Sequence, residues 1–313
     1  MTAPVPPSPT ARRKVQQIAG YAGFSLLALT VGFLVTFPYD ALKERARVEA
    51  DNAGYVLRLG SVGPGFFSLR ATDVAVSKRS LAEPPPEALA VDSVSLGPSL
   101  WPPGAKATVR LLGGTLVASV SGLSAVQVRV DAEGLDLSKG NLKAFSGLDL
   151  AGTAEAHLDL SVPRVAVANA PAEPDLAQAS GSFTLDLKGV TVNGGTLALT
   201  IPQYGNDPTP FDLPRIAFGD VSARVKVDKG AATVEEFKAR SADLEASVAG
   251  SLKLGKRLEY SEANLEVRLK PEVEFQKRLG LIGSALSMIP PDPKDPTWRV
   301  GHLTGLVGRP QFR

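Results

Sequence analysis

TAEAHLDLSV, Thr153 to Val162, alternates apolar and polar residues without a fault. Ala154, Ala156, Leu158, Leu160 and Val162 share one parity; Thr153, Glu155, His157, Asp159 and Ser161 share the other. Side chains of a strand point alternately to opposite faces, so this stretch predicts a strand with one dry and one wet side. LEASVAGSLKL (Leu244 to Leu254) repeats the pattern, placing Leu244, Ala246, Val248, Leu252 and Leu254 together. VQVRVD (Val126 to Asp131), FTLDLK (Phe183 to Lys188, with Leu185), VSARVKVD (Val221 to Asp228, with Val225) and NLEVRLK (Asn264 to Lys270, with Val267) follow suit. Clean alternation favours antiparallel pairing, because parallel sheets are usually buried on both faces.

The connectors fit a sheet. Asn193-Gly194-Gly195, Asp228-Lys229-Gly230 and Gly113-Gly114 each predict a tight hairpin turn. The alternation slips by one residue at Gly189 and again at Glu235-Glu236. A slip sends every later side chain to the other face unless a bulge absorbs it, so bulges are predicted at both places. Pro84 to Pro86, Pro163 to Pro174 and Pro202 to Pro214 predict loops or edge crossings, since proline cannot donate to a ladder. Near the end, Phe275, Leu279, Ile282, Leu286 and Ile289 form an apolar helical stripe between Pro271 and Pro290-Pro291. That helix is expected to cap one dry end of the sheet. WRVGHLTGLVGRPQFR then predicts a final strand pair after the DPKDP turn.

The N-terminal region has another character. Val15 to Tyr39 carries no charged side chain and sits directly behind Arg12, Arg13 and Lys14. Its core, Ile18 to Phe37, includes Phe24, Leu26, Leu27, Leu29, Val31, Phe33, Leu34 and Val35. A helix of about 20 residues rises about 30 Å, the hydrocarbon thickness of a bilayer, and satisfies its own backbone there. The preceding cations keep residues 1–14 in the cytoplasm, which sends the chain after residue 39 to the other side. A cleaved signal peptide has a shorter apolar core and a small-x-small exit; here the exit is Leu34-Val35-Thr36-Phe37-Pro38. An uncleaved anchor over 15–39 is the reading. Asp40 to Gly54 predicts a connector helix, with Asp40 as N-cap and Gly54 as the stop, leaving residues 55–313 as a β-rich body.

Composition narrows the function classes. The 313 residues carry 34 basic and 32 acidic groups, and the excess is no larger than the N-terminal triplet. The body therefore has no cationic surplus for nucleic acid. The chain has no cysteine, which removes disulfides, thiolate metal sites and thiol nucleophiles. Of two histidines, His157 lies on the wet side of its strand between Glu155 and Asp159, and His302 lies in the final strand pair. A Glu–His–Asp row on an open strand reads as surface decoration rather than a closed metal site. Asp292 and Asp295 are separated by Pro293 and Lys294, which suits a turn better than calcium. None of the common hydrolase, metalloprotease, P-loop or dinucleotide fingerprints is present. The expectation is a protein without catalytic residues, cofactor or metal.

Several strings carry a family resemblance: FPYDALKERA (Phe37 to Ala46), LGSVGPGFFSLRATDVAV (Leu59 to Val76), FQKRLGLIGSALSMI and HLTGLVGRPQF (His302 to Phe312). With the basic start and single span, the layout resembles type II secretion system protein N (GspN), within the broader AsmA-like group. The resemblance implies an accessory inner-membrane component of a bacterial secretion machine, with other secretion subunits as partners. The AsmA-like relatives imply, alternatively, a lipid-binding or phospholipid-transfer module. The expected fold is mostly β: a transmembrane helix, then an elongated, curled antiparallel sheet, a trough or half-open barrel, with one or two short helices. From the residues alone, the dry face could pack as a sandwich, which is the default, close as a barrel, or curl into a trough. In the trough, Leu158, Leu160, Leu185, Val225, Val248, Leu252 and Val267 would line a groove for phospholipid acyl chains.

Overall fold

The computed structural model describes residues 38–65, 68–78, 88–143, 148–167, 170–199, 209–256, 258–279, 283, 289–307 and 309–312. The chain divides into two compact units, Met1–Ala46 and Arg47–Arg313. Residues 1–37 lie outside the described residues, and with them the predicted cytoplasmic tail and all but the end of the predicted span. Among the described residues no helix is long and apolar enough to cross a membrane.

The connector helix is present as α1 (Tyr39–Asn52). It starts one residue earlier than expected: the Pro38 carbonyl accepts from the Ala41 and Leu42 amides at 3.2 and 3.4 Å. Asp40 therefore sits inside the first turn, where its charge favours the helix dipole, and is not the cap. Gly54 ends the run at φ +83°, as predicted for a C-terminal stop.

Sixteen strands follow: β1 (Tyr55–Gly65), β2 (Ser68–Lys78), β3 (Leu89–Leu100), β4 (Pro103–Leu111), β5 (Gly114–Ser121), β6 (Ala125–Asp136), β7 (Leu148–Val167) and β8 (Ala170–Pro174). Then come β9 (Ser180–Leu199), β10 (Thr209–Leu213), β11 (Ile216–Asp228), β12 (Ala231–Arg240), β13 (Leu244–Lys253), β14 (Glu262–Pro271), β15 (Arg299–Leu306) and β16 (Arg309–Phe312). They form one sheet, ordered β1-β2-β3-β4-β5-β6-β7-β9-β11-β12-β13-β14-β15-β16, with β8 pairing only β7 and β10 only β9. Every pairing is antiparallel. All six strands predicted from alternation are found. The sandwich expectation is corrected, because the described strands supply no second layer. The expected curl and half-open barrel are corrected too: the sheet is open and uncurled, and β1 and β16 end its path without pairing each other.

Local register explains how one face stays apolar. Between β9 and β7, Lys188 opposes Thr153 while Thr191 opposes Ala151, so β9 carries one extra residue around Gly189, at φ +58°. Between β11 and β12, Arg224 opposes Glu236 while Val225 opposes Val234, which leaves Glu235 over. Both predicted bulges are therefore in place. The Asp228-Lys229-Gly230 turn is also as expected, with positive φ at Lys229 and Gly230. A turn at Leu112-Gly113 joins β4 to β5 one residue before the predicted pair.

Asn193-Gly194-Gly195 corrects another expectation. No hairpin forms; β9 runs straight through, with Gly194 and Gly195 at φ +142° and +151°. Asp149 and Leu148 pair them on one side, and Leu213 of β10 pairs Gly195 on the other. Glycine enters this extended region as readily as a left-handed turn, and flanking strands decide between the two. Pro163 to Pro174 is likewise mostly strand: the end of β7 and β8 form a one-sided hairpin arm, where prolines cost no inner ladder bond. Pro84 to Pro86 and Pro202 to Pro208 lie outside the described residues.

The helical stripe begins as predicted. Helix α2 (Val273–Arg278) buries Phe275 and, just after it, Leu279 against Val192 and Ile216, with Leu150, Leu213 and Phe218 around them. It caps one dry end of the sheet. Ile282 and Leu286 lie outside the described residues. Two non-local contacts seat the helix: Arg278 donates to Asp243 Oδ1, and Asp243 Oδ2 accepts from the Ala217 amide at 2.9 Å.

Phe275, on the covering helix itself, is 3% exposed against the sheet, whereas Leu96, on an uncovered part of the apolar face, is 49% exposed. Phe275→Ala should therefore cost about 3–5 kcal/mol, and Leu96→Ala about 1 kcal/mol or less. Urea unfolding of both variants measures the contrast; equal losses would mean that Leu96 has cover.

Candidate functional site

The sheet's two faces differ in chemistry across most of its width. In β7, Leu150, Ala154, Ala156, Leu158, Leu160 and Val162 point one way, opposed in β9 by Val192, Leu187, Leu185, Phe183 and Gly181. The row continues into β11 through Ile216, Val221, Ala223, Val225 and Val227. It extends into β12–β14 through pairs such as Ala232–Leu252 and Val248–Val267. In the other direction, Val126, Val128 and Val130 of β6 oppose the β7 row. Leu116, Ala118 and Val120 of β5 carry it on towards β4.

All seven residues predicted to line a groove lie on this face and are half-buried. Leu158 and Val225 flank Phe183 from either side, one pairing it from β7 and the other from β11. Leu160, Val225 and Leu252 pack around a small cluster of Val162, Ala179, Val227 and Ala232. Val248 opposes Val267 directly. Val221, Ala239 and Ala246 make a further cluster. The third cluster is a row of same-face neighbours, the first also takes in Leu176 and Ala179 beside β9, and α2 covers the one around Val192 and Ile216.

One glycine sets the depth of the first cluster. Gly181 lies between Leu160 and Val227 in the ladder. A Cβ there would collide with the Asp159 carbonyl oxygen, so the position accepts no side chain without moving backbone. Val162 and Val227 meet across that gap.

Sequence reading missed the apolar residues of β1–β4. Leu57 and Leu59 oppose Val76 and Val74, then Val62 opposes Ala71. Parity changes at Gly60 in β1, at Asp73 in β2 (φ +52°) and at Asp92 in β3, so no strand here alternates cleanly. The signal was a phase break with apolar residues on both sides. Leu96 and Val120 are the most open positions of the face, at 49% and 46% exposed.

The opposite face is a lattice of ion pairs. Arg129 of β6 donates to Asp159 of β7 at 2.8 Å, Gln127 donates to Ser161 at 2.8 Å, and His157 pairs with Asp131. Glu236 meets Lys238 at 2.9 Å and Arg224 at 3.3 Å. The exposed cross-strand pairs among these fix register, and all of them add little stability. A shallow depression of about 180 Å³ lies over Asp131, Glu133, Glu155, His157 and Asp186. A second, of about 360 Å³, lies over Ser251, Lys253, Glu262 and Asn264. Among the described residues no group of three His, Cys, Asp or Glu is arranged to hold a metal ion.

Asp292 and Asp295 build the DPKDP turn. Asp292 is buried, accepts from the Lys294 amide at 2.9 Å and pairs with Arg268, whose guanidinium stacks 5.4 Å from the Trp298 ring. Asp295 accepts from the Thr297 hydroxyl at 2.6 Å and amide at 3.0 Å. These bonds hold both carboxyls below the ordinary aspartate range, through the Lys294 amide first for Asp292 and the Thr297 hydroxyl first for Asp295. Asp136, through Ser138, and Glu236, through Lys238, are lowered likewise.

Comparison with protein-family models, with curated proteins and with solved structures finds no match to this chain.

A carboxyl held low in the folded state binds its proton more weakly there than in the unfolded chain. Its contribution is complete above the unfolded carboxylate range and is lost as pH falls through the lowered value. Urea midpoints should therefore hold near neutral pH and fall below about pH 4. Asp292→Asn should flatten part of that fall, and an unchanged acid limb in the variant would remove Asp292 from the account.

Proposed function

We propose that this chain is a single-pass inner-membrane protein whose β-sheet lies in the bacterial periplasm and binds lipid acyl chains along its apolar face. One observation carries the reading: an aliphatic face crosses the twelve strands from β1 to β14 on the sheet's path, and among the described residues α2 and a short 3-10 turn (Leu176–Gln178) pack on parts of it. Soluble monomers rarely leave so much contiguous apolar surface open, and where they do it marks an interaction site. Valine, leucine and alanine dominate the face. Such a lining offers acyl chains dispersion contacts without fixing orientation, which suits a ligand of variable length.

Arg12, Arg13 and Lys14 before the uncharged run from Ile18 to Phe37 support the membrane anchor and the periplasmic side. The resemblance to the GspN and AsmA-like proteins supports the envelope setting. No catalytic residue, cofactor or metal enters this reading.

A second reading has its own observation. Two strings that carry the resemblance fall at the two edges of the sheet: Leu59 to Val76 in β1–β2, and His302 to Phe312 in β15–β16. Edge strands offer unpaired backbone groups to a partner's strand. On this reading the protein is an accessory or scaffold component of the type II secretion system, with other subunits added at those edges. The two readings coexist, since face and edges are separate surfaces.

Photo-crosslinking residues placed at Leu158 and Val225 in the full-length protein, irradiated in cells, should recover phospholipid. A wet-face control at Thr184 should not. Consistent recovery of nothing at Leu158 and Val225 would sink the acyl-binding reading. Substitutions in β1 or β16 should release secretion subunits that co-purify with the wild-type chain, whereas co-purification of none with the wild type would count against the scaffold.

A further inference from the structure

Strand direction alternates along the sheet, so its turns fall on two rims. One rim carries the β3–β4, β5–β6, β11–β12 and β13–β14 connections and the end of β15. The other carries the β4–β5 and β12–β13 turns and α2, and there the chain enters β1. The rims differ in which side chains they expose.

On the first rim stand Trp101, 91% exposed in the β3–β4 turn, and Leu123, 84% exposed in the β5–β6 turn. Leu258 and Tyr260 project from the β13–β14 connection, and Leu306 closes β15, all of them exposed. Lys106, Lys229 and Lys256 lie exposed among these tips, with Asp228 and Glu262; Glu262 faces Lys253 across the β13–β14 pair. On the other rim, among the described residues, the exposed large apolar side chains are Tyr55, Val56 and Val273, while its tryptophan, Trp298, is half-buried with the Arg268 guanidinium over its ring. There the turn leucine, Leu112, is buried at 6%. Its Ser241–Asp243 turn hydrogen-bonds itself and binds Arg278.

We infer that the first rim docks on a lipid surface, with its turns entering the headgroup region. The spacing of the tips separates this from a protein interface. Trp101 and Leu123 sit on turns two strands apart, roughly 9–10 Å, with polar backbone between them. A protein partner needs a contiguous, close-packed patch around its anchor residues. A fluid bilayer needs none, because it receives each tip separately. Tryptophan and tyrosine suit that depth, presenting an apolar ring to the acyl boundary and an N–H or O–H to the headgroups. Lysines beside them reach anionic phosphates while their stems lie along apolar surface. This inference concerns turns rather than the sheet's face, so it goes beyond the acyl-binding reading and does not need it.

The absence of cysteine allows a clean test. Ser124→Cys beside Leu123, and Ala242→Cys on the other rim as control, are each labelled with an environment-sensitive fluorophore in the full-length chain. The protein is placed in phosphatidylcholine nanodiscs and mixed with phosphatidylethanolamine–phosphatidylglycerol vesicles. A nitroxide-lipid quencher is put in the discs in one arm and in the vesicles in the other. Quenching at position 124 and not at 242 is expected; disc quenching assigns contact to the host bilayer, and vesicle quenching to a second one. Trp101→Ser with Leu123→Ser should weaken that contact about tenfold or more for each side chain lost from lipid. Both positions are so exposed that the urea midpoint should stay unchanged. No quenching at 124 in either arm, equal quenching at both rims, or full quenching in the double variant would each overturn the inference.

Discussion

An apolar face with no second layer to bury it is the constraint from which the rest of this sheet follows. In a sandwich, a leucine on the inner face loses nearly all its water and contributes about 1.5–3 kcal/mol. Here Leu158, Leu160 and Leu185 lie on an open face and stay half-buried. Alanines 132, 154, 179, 223, 232, 239, 246 and 263 are consequently prominent among the buried apolar residues, since a short side chain is overshadowed by its neighbours without a second layer. Stability must then come mainly from the ladders between adjacent strands. The topology agrees, since nearly every strand pairs with its neighbour in sequence. Such pairings close short loops and cost little chain entropy before they are rewarded.

That arrangement makes phase the critical variable. A one-residue slip in any strand would turn its leucines and valines to the charged face and its lysines and glutamates to the apolar one. Bulges at Gly189 and Glu235 occur where the sequence itself changes parity, so the extra residue restores the face rather than breaking it. Gly60 and Asp73, the latter at positive φ, mark a parity change that β1 and β2 make together with no residue left over; a Cβ at Gly60 would come within 2.8 Å of the Asp73 Cβ. On the wet face, Arg129–Asp159 and His157–Asp131 contribute little energy, but a slipped register would set them against the wrong partners. Register is thus specified twice, by apolar rows on one side and charge pairs on the other.

This double specification is why so much of the fold is legible in sequence. Alternation at Thr153–Val162 gives both strand and face, and its failures at Gly189 and Glu235 give the bulges. Leu158, Leu160, Leu185, Val225, Val248, Leu252 and Val267 can be assigned to one face because their strands alternate cleanly. Where two breaks fall close together, as in β1–β3, the same reading loses the face although the residues are there. Asn193-Gly194-Gly195 misleads for a different reason. Its glycines permit a turn and an extended run equally, and the strands of β7 and β10 that settle the matter are far away in sequence. The seating of α2 is illegible on the same ground: Asp243 and Arg278 are distant in sequence, and nothing local marks them as partners. Whether a dry face meets a second layer is a property of the whole chain, which no window of residues contains.

Sequential pairing also separates the parts of this molecule that can be put to use. Because each strand depends chiefly on the two beside it, a change in β2 has no short path to β14, and the behaviour approaches that of a linear array. Edges, face and rims can therefore engage different things without competing for the same stabilising contacts. The helix α2 is the exception. It leaves the ladder to pack on Val192 and Ile216, and it is tied back through Asp243 to both β11 and its own C-terminal arginine. Covering one end of an otherwise open face stabilises that end with true burial, and it also sets where an apolar ligand lying on the face would have to stop.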